Sequence, residues 1–184
     1  MSPENLIRDL PLIRRRAREN EAEDYSFRTY LKTKLPLSNA ELDTLVKETT
    51  DAVWAHISCT ECAQCCRLQI VVDEKDIRRL AAHLKLPVPV FARQYVSQAE
   101  DGVLHFTSAP CPFLGADNFC TVYEHRPRAC RDYPYLYDKH FRTRTLTMIE
   151  NTRCCPIVFN VWQELKTQLA PSVTRPRKPR RNNG

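Results

Sequence analysis

Glycine is scarce in this chain: Gly102, Gly115 and Gly184 are the only three among 184 residues, and they lie far apart. A Walker A loop or a Rossmann G-x-G-x-x-G turn needs clustered glycines so that backbone N–H groups can approach phosphate. Neither can be written here, which excludes nucleotide-driven and Rossmann-type methyltransferase chemistry within the chain. Long apolar runs are missing too. The longest tight one is around Leu68–Val72, far short of the about 20 residues a membrane span needs, so no membrane partner is expected. The first residues include Glu4 and Asp9 and no basic segment leading into an apolar core, so they do not read as a signal peptide. A chain without an export signal meets a reducing cytosol, and a cytoplasmic location with free thiols is the expectation. No Ser-His-Asp pattern, H-E-x-x-H or paired-carboxylate motif stands out, and whether the chain is an enzyme stays open.

Acidic residues are absent from the C-terminal stretch. From Pro171 it carries Arg175, Arg177, Lys178, Arg180 and Arg181, five of the six net positive charges. The body is therefore close to neutral. That argues against a nucleic-acid-binding fold as such, but leaves a basic arm able to touch RNA, a ribosome or another polyanion. Rich in Pro, Arg and Asn, residues 171–184 have nothing to bury and read as disordered.

With 42% hydrophobic residues the remainder can bury a core of its own. Residues 1–55 read as a helical extension free of cysteine. Ser38-Asn39-Ala40-Glu41 has the form of a capping box, followed by Leu42, Leu45, Val46, Val53 and Ile57 on one helical face. Upstream, Leu6–Tyr30 has mixed periodicity and reads as a helix or a mobile arm. Residues 56–170 read as a second unit. Leu68–Val72, Val103–Phe106 and Leu146–Ile149 are strand candidates. Asp73 can cap a helix through Leu84, Pro87 and Pro89 can open another through Val96, and Pro156 can start a last helix reaching Leu169. The fold class expected is α+β: a small metal-organised cysteine-cluster domain with an N-terminal helical extension.

What the chain does have is cysteine, nine in all. Four fall within eight residues, as Cys59-x2-Cys62-x2-Cys65-Cys66. Cys-x2-Cys lets two thiolates converge on one centre because the intervening turn bends back, as in zinc knuckles and iron–sulfur loops. Adjacent residues cannot easily reach the same ion from a compact loop. Cys59, Cys62 and Cys65 are therefore expected to serve one centre, with Cys66 facing inward or toward a second. The odd count leaves one cysteine over in any all-disulfide scheme. Cys111, Cys120, Cys130, Cys154 and Cys155 are the remaining thiols. Gly115, Asp117 and Asn118 should fold the Cys111–Cys120 segment into a loop or hairpin. Arg126, Arg128 and Arg131 flank Cys130, and three guanidinium groups would lower its pKa and offset thiolate charge. Tyr133, Tyr135 and Tyr137 are expected to pack over the metal loop. His56 and His125 are minor ligand candidates; His83, His105 and His140 have no ligand spacing.

The order CxxCxxCC, then Cys111-Pro-Phe-Leu, Cys120 before Thr-Val-Tyr-Glu, Arg126-Pro-x-x-Cys130-Arg-x-Tyr-Pro and a final Cys155-Pro resembles the CxxCxxCC zinc/iron-chelating domain family. These are the YkgJ-type cysteine cluster proteins, and flagellin lysine N-methylases are similar in this domain. The resemblance covers residues 56–160. It implies eight metal-binding cysteines, Cys59, Cys62, Cys65, Cys66, Cys111, Cys120, Cys130 and Cys155, with Cys154 an extra thiol beside Cys155 that sequence does not separate from it. It also implies zinc or an iron–sulfur cluster, and opens the alternative of an iron–sulfur-dependent enzyme of methylase or electron-transfer type. Three cysteines at two-residue gaps with a remote Cys-Pro resemble a ferredoxin loop and lean toward a [4Fe–4S] centre; eight thiolates would equally satisfy two tetrahedral zinc sites.

Deleting residues 171–184 is expected to leave metal content and melting temperature nearly unchanged while abolishing any salt-sensitive polyanion binding. A large drop in melting temperature would show instead that the tail is packed.

Overall fold

A computed structural model describes residues 3–169, and the basic tail read as disordered lies outside them. The chain before the cysteines forms three helices: α1 (Leu10–Glu19), α2 (Glu21–Thr33) and α3 (Asn39–Trp54). The Asp9 side chain accepts the Leu12 N–H at 2.7 Å to start α1. Asn20 separates α1 from α2. Two helices of different phase explain why Leu6–Tyr30 shows no single periodicity. The capping box of α3 forms as read, with Ser38 N–H donating to Glu41 at 2.7 Å and Glu41 N–H to Ser38 Oγ at 3.2 Å.

Beyond the first cysteines come α4 (Glu74–His83), α5 (Val88–Tyr95), β1 (Val96–Gln98), β2 (Leu104–Phe106), α6 (Arg128–Asp132), α7 (Thr145–Asn151) and α8 (Pro156–Leu169). β1 and β2 pair antiparallel, Val96 opposite Phe106 and Gln98 opposite Leu104. The fold is α+β, dominated by helix.

Three expectations need correction. Leu68–Val72 is not a full strand. A 3₁₀ turn holds Gln64–Arg67 and Asp73 caps α4, which leaves room only for a bridge from Val71 to His105. Phe106 N–H nonetheless donates to Ile70 O at 3.0 Å and Val72 N–H to Leu104 O at 2.9 Å, so the segment lies along β2. Leu146–Ile149 is helical, within α7. Its buried face is Thr145, Met148, Ile149 and Thr152, a helical repeat masked in sequence because two members are threonines. Finally, α5 stops at Tyr95, one residue short of the predicted end, and Val96 opens β1, a strand not expected.

Two large apolar clusters and a small third, Ile13 and Ala17 of α1 with Phe159 of α8, organise the described residues. In the first, Phe27, Leu31, Leu42, Val46 and Val53 of the N-terminal helices pack with Met148, Trp162 and Leu165. The stretch read as an extension therefore shares its core with the C-terminal helix. In the second, Ile77 and Leu80 of α4 pack with Phe91, Phe106, Phe113 and Val122.

Buried polar groups fix α8 in place. Asp24, fully buried, accepts from Trp162 Nε1 at 2.9 Å and Lys166 Nζ at 2.8 Å. Asn160 accepts the Ile7 N–H at 3.0 Å and donates to the Ile7 carbonyl at 2.8 Å, tying the N-terminal chain to the same helix. Removing one partner of a buried ion pair strands the other. Asp24→Ala is expected to lower stability by about 3–5 kcal/mol, read from denaturant unfolding; Asp24→Leu combined with Lys166→Met should recover most of that loss.

Candidate metal centre

The first cysteine loop is built by local capping. Ser58 N–H donates to Glu61 at 2.8 Å and Ser58 Oγ accepts the Thr60 N–H at 3.3 Å, closing a 3₁₀ turn over Cys59–Glu61. Ala63 then adopts a left-handed backbone, φ +44°, and its N–H donates to the Cys59 carbonyl at 2.9 Å. That reversal starts the second 3₁₀ turn, which carries both Cys65 and Cys66. Successive residues of a 3₁₀ helix point about 120° apart. Cys65 and Cys66 therefore have different neighbours, although their thiols still interact with each other.

The nine cysteines are all free, and the structure sorts them into two sets. Cys59, Cys62 and Cys65 line one cavity with Cys154, Cys155 and Tyr133, and the cavity measures ≈ 20 Å³. Cys66, Cys120 and Cys130 pack instead with Cys111 against the second apolar cluster. Along the chain the second set is nested between Cys65 and Cys155. The sets abut, for Cys59 feels the charge of Cys66 as well as that of Cys62. Among the described residues, no group of three or more His, Cys, Asp or Glu side chains is placed to hold a single metal ion.

The second set is assembled from three segments. Cys111 N–H donates to the Cys66 carbonyl at 2.7 Å. The Cys111–Cys120 segment folds into the expected hairpin, with Leu114 bridged to Cys120. Gly115 is required at its bend, since a Cβ there would stand 2.6 Å from Asp117 Oδ1 and 3.1 Å from the Phe119 carbonyl. At its tip Asn118 accepts from Arg67 at 3.1 Å and donates to the Thr60 carbonyl at 3.1 Å, joining the hairpin to the first loop.

Burial sets most of the thiols' acidity. It pushes Cys111 up to about 11, Cys130 to about 12 and Cys155 to about 12. Backbone N–H donors oppose it: Phe113 at Cys111, Val122 at Cys120, and Val158 and Ile157 at Cys155, which stands at the start of α8. Such N–H···S contacts favour thiolate over thiol. A hydrogen bond between the neighbouring thiols raises Cys65 and lowers Cys66 to about 7, with the charges of Arg67 and Arg126 also favouring the Cys66 thiolate.

The expectation that three guanidinium groups surround Cys130 and lower its pKa is corrected. Arg128 pairs with Asp132 at 3.1 Å on the surface, and Arg131 donates to the Arg126 carbonyl at 2.9 Å. Arg126 alone acts on Cys130, and burial outweighs it. Its charge also reaches Cys59, Cys66 and Cys120, so one cation serves both sets. Of the three tyrosines only Tyr133 lines the cavity, its hydroxyl 3.6 Å from Cys154 Sγ. Tyr135 donates to the Ala129 carbonyl at 3.4 Å, and the exposed Tyr137 to Asp51 at 2.8 Å. His125 stacks on His83 with ring centres 4.0 Å apart, and the His56 carbonyl accepts from Arg8 at 2.6 Å. Neither histidine lines the cavity.

Sequence reading missed the pair that positions Arg126. Asp76, buried on α4, accepts from Arg79 at 2.5 Å and from the Arg128 N–H at 3.1 Å. Arg79 in turn donates to the carbonyls of His125 at 3.3 Å and Arg126 at 2.9 Å. These partners lie 46 to 52 residues away along the chain. The one local signal is Asp76 as the third residue of a capping box begun by Asp73. Asp76→Ala is expected to cost about 3 kcal/mol by leaving Arg79 without its buried partner. It should also speed alkylation of Cys130 relative to Cys154, measured by mass spectrometry; equal acceleration at both would reduce Asp76 to a general stabiliser.

Residues 58–157 match the family model of the CxxCxxCC domain, described as zinc- or iron-chelating. Uncharacterized protein MJ0661 of Methanocaldococcus jannaschii is 32% identical over 92 residues, 48% of this chain and 50% of the relative. The chain thus spans about half the length of that relative. No solved structure matches. With more than half of its length matched, and all eight cysteines of the linked motifs inside the match, the chain belongs to the CxxCxxCC family of zinc- or iron-chelating domains.

Proposed function

We propose that this protein holds metal at two neighbouring thiolate sites, an iron–sulfur cluster on Cys59, Cys62, Cys65 and Cys155 and a second centre on Cys66, Cys111, Cys120 and Cys130. The observation that carries this reading is the different surroundings of Cys65 and Cys66: grouped by the cavity and by the second apolar cluster, the eight family cysteines fall four and four. One further feature favours a cluster at the first site: its ligands follow the ferredoxin pattern of three cysteines at two-residue gaps and a remote Cys-Pro. The second set, packed into the core and served by N–H donors at Cys111 and Cys120, suits zinc or iron equally.

The chain's own residues have definable parts. Arg126 and Arg67 offset thiolate charge from one side. The N-terminal turn of α8 aims two N–H groups at Cys155. Tyr133 covers the first set and keeps the cavity largely apolar on that side. An iron–sulfur cluster would supply one-electron transfer at the first site; zinc would cross-link the fold.

Protein purified without oxygen is expected to be brown, to absorb broadly near ~400 nm and to contain acid-labile sulfide. Cys62→Ser should remove that signal. Cys111→Ser should lower total metal while leaving the sulfide of the first site in place. Colourless protein with stoichiometric zinc and no sulfide would overturn the cluster and keep the thiolate sites; metal-free protein, folded and reduced, would overturn both. Chelator treatment should also lower the melting temperature, because structural metal binding is linked to folding.

A further inference from the structure

The first site has one thiol too many. Four of the five cysteines around its cavity belong to the family motifs, and the fifth, Cys154, lines the same cavity. Its Sγ lies 3.6 Å from the Tyr133 hydroxyl and 3.5 Å from the Asn151 carbonyl, and the thiol whose charge it feels is that of Cys62. Cys154 is only partly buried, whereas Cys155 beside it is 8% exposed and packed into the first apolar core. The second set has no such surplus: its four thiols are the four that the motifs supply.

Resting on the two-site reading above, we propose that Cys154 is a reserve ligand, which lets the first site exchange one thiolate for another without releasing its metal, a provision the second site lacks. A four-thiolate centre has no vacant position for a fifth sulfur at rest. When one thiolate lets go, a thiol already in the cavity can take its place, so ligand loss leaves no open position. The balance is simple. Cys154 S–H loses its proton as its sulfur bonds the metal, and the displaced thiolate takes up a proton as its own bond breaks. Tyr133, whose hydroxyl contacts Cys154, stands where a proton can be passed between them. The reserve stands where ligand loss is easiest, because Cys59 is exposed whereas the second set lies against the core cluster.

The test is release of metal from full-length, anaerobically purified protein into excess chelator, followed by elemental analysis over time. Wild type should release in two phases. Cys154→Ala and Cys154→Ser should both keep the full initial metal content and speed the fast phase about tenfold, the lower end of what altering groups around a metal site costs in metal affinity, with the slow phase unchanged. Two results would overturn the proposal: a fast phase of unchanged or lower rate, or a fall in initial metal content, which would make Cys154 an ordinary ligand. Wild-type protein without metal would instead sink the two-site reading itself, before any variant is compared.

Discussion

Everything at the candidate centre depends on one turn of 3₁₀ helix. Because Cys65 and Cys66 are consecutive, the backbone between them is a single peptide unit; Cys65 lines the cavity, Cys66 packs against the second apolar cluster, and their thiols interact across that boundary. On the two-site proposal, a looser loop would let both thiols reach the same cavity and leave the second set one ligand short. The left-handed Ala63 immediately before the turn sets its direction. A non-glycine residue with positive φ is uncommon and has to be held there by its surroundings; here the Ala63 N–H bond to Cys59 and the burial of its methyl group do so.

The support for this turn comes from both ends of the chain. Cys155 sits where it does because α8 is pinned by Asp24 and Asn160 to segments near the N-terminus. Cys130 and Arg126 sit where they do because Asp76 and Arg79 hold the backbone that carries them. Buried polar groups are costly unless paired, and each of these pairs joins segments that no local preference would bring together. Hydrophobic packing makes the two cores; these ion pairs and hydrogen bonds choose how they meet.

Local features were legible in the sequence. The capping box at Ser38, the helix starts at Asp73 and Pro156, and the hairpin between Cys111 and Cys120 could all be read from residue types and spacing; the set of eight family cysteines came from the resemblance that the linked motifs carry. Features that depend on distant neighbours could not. Thr145 and Thr152 hid the helical period of α7, because a threonine hydroxyl bonded to a carbonyl on its own helix can be buried as an apolar residue would be; Thr152 does this toward Ile149 at 2.6 Å. The arginines near Cys130 looked alike in sequence, yet only Arg126 faces the thiols, since Asp132 and the Arg126 carbonyl draw the other two away. Adjacency of Cys65 and Cys66 hinted at two centres, but which surroundings Cys111, Cys120, Cys130 and Cys155 occupy needed the fold.

The nesting of one thiol set inside the other has a consequence for biosynthesis. As the chain leaves the ribosome from its N-terminus, the inner set is complete once Cys130 has emerged. The outer set must wait for Cys155, and that thiol is secured only when α8 docks on the N-terminal helices. If the two sets hold metal as proposed, the nascent protein offers two loading windows in a fixed order: an early one for the inner set, and a late one that opens only after Cys155 and α8 have emerged.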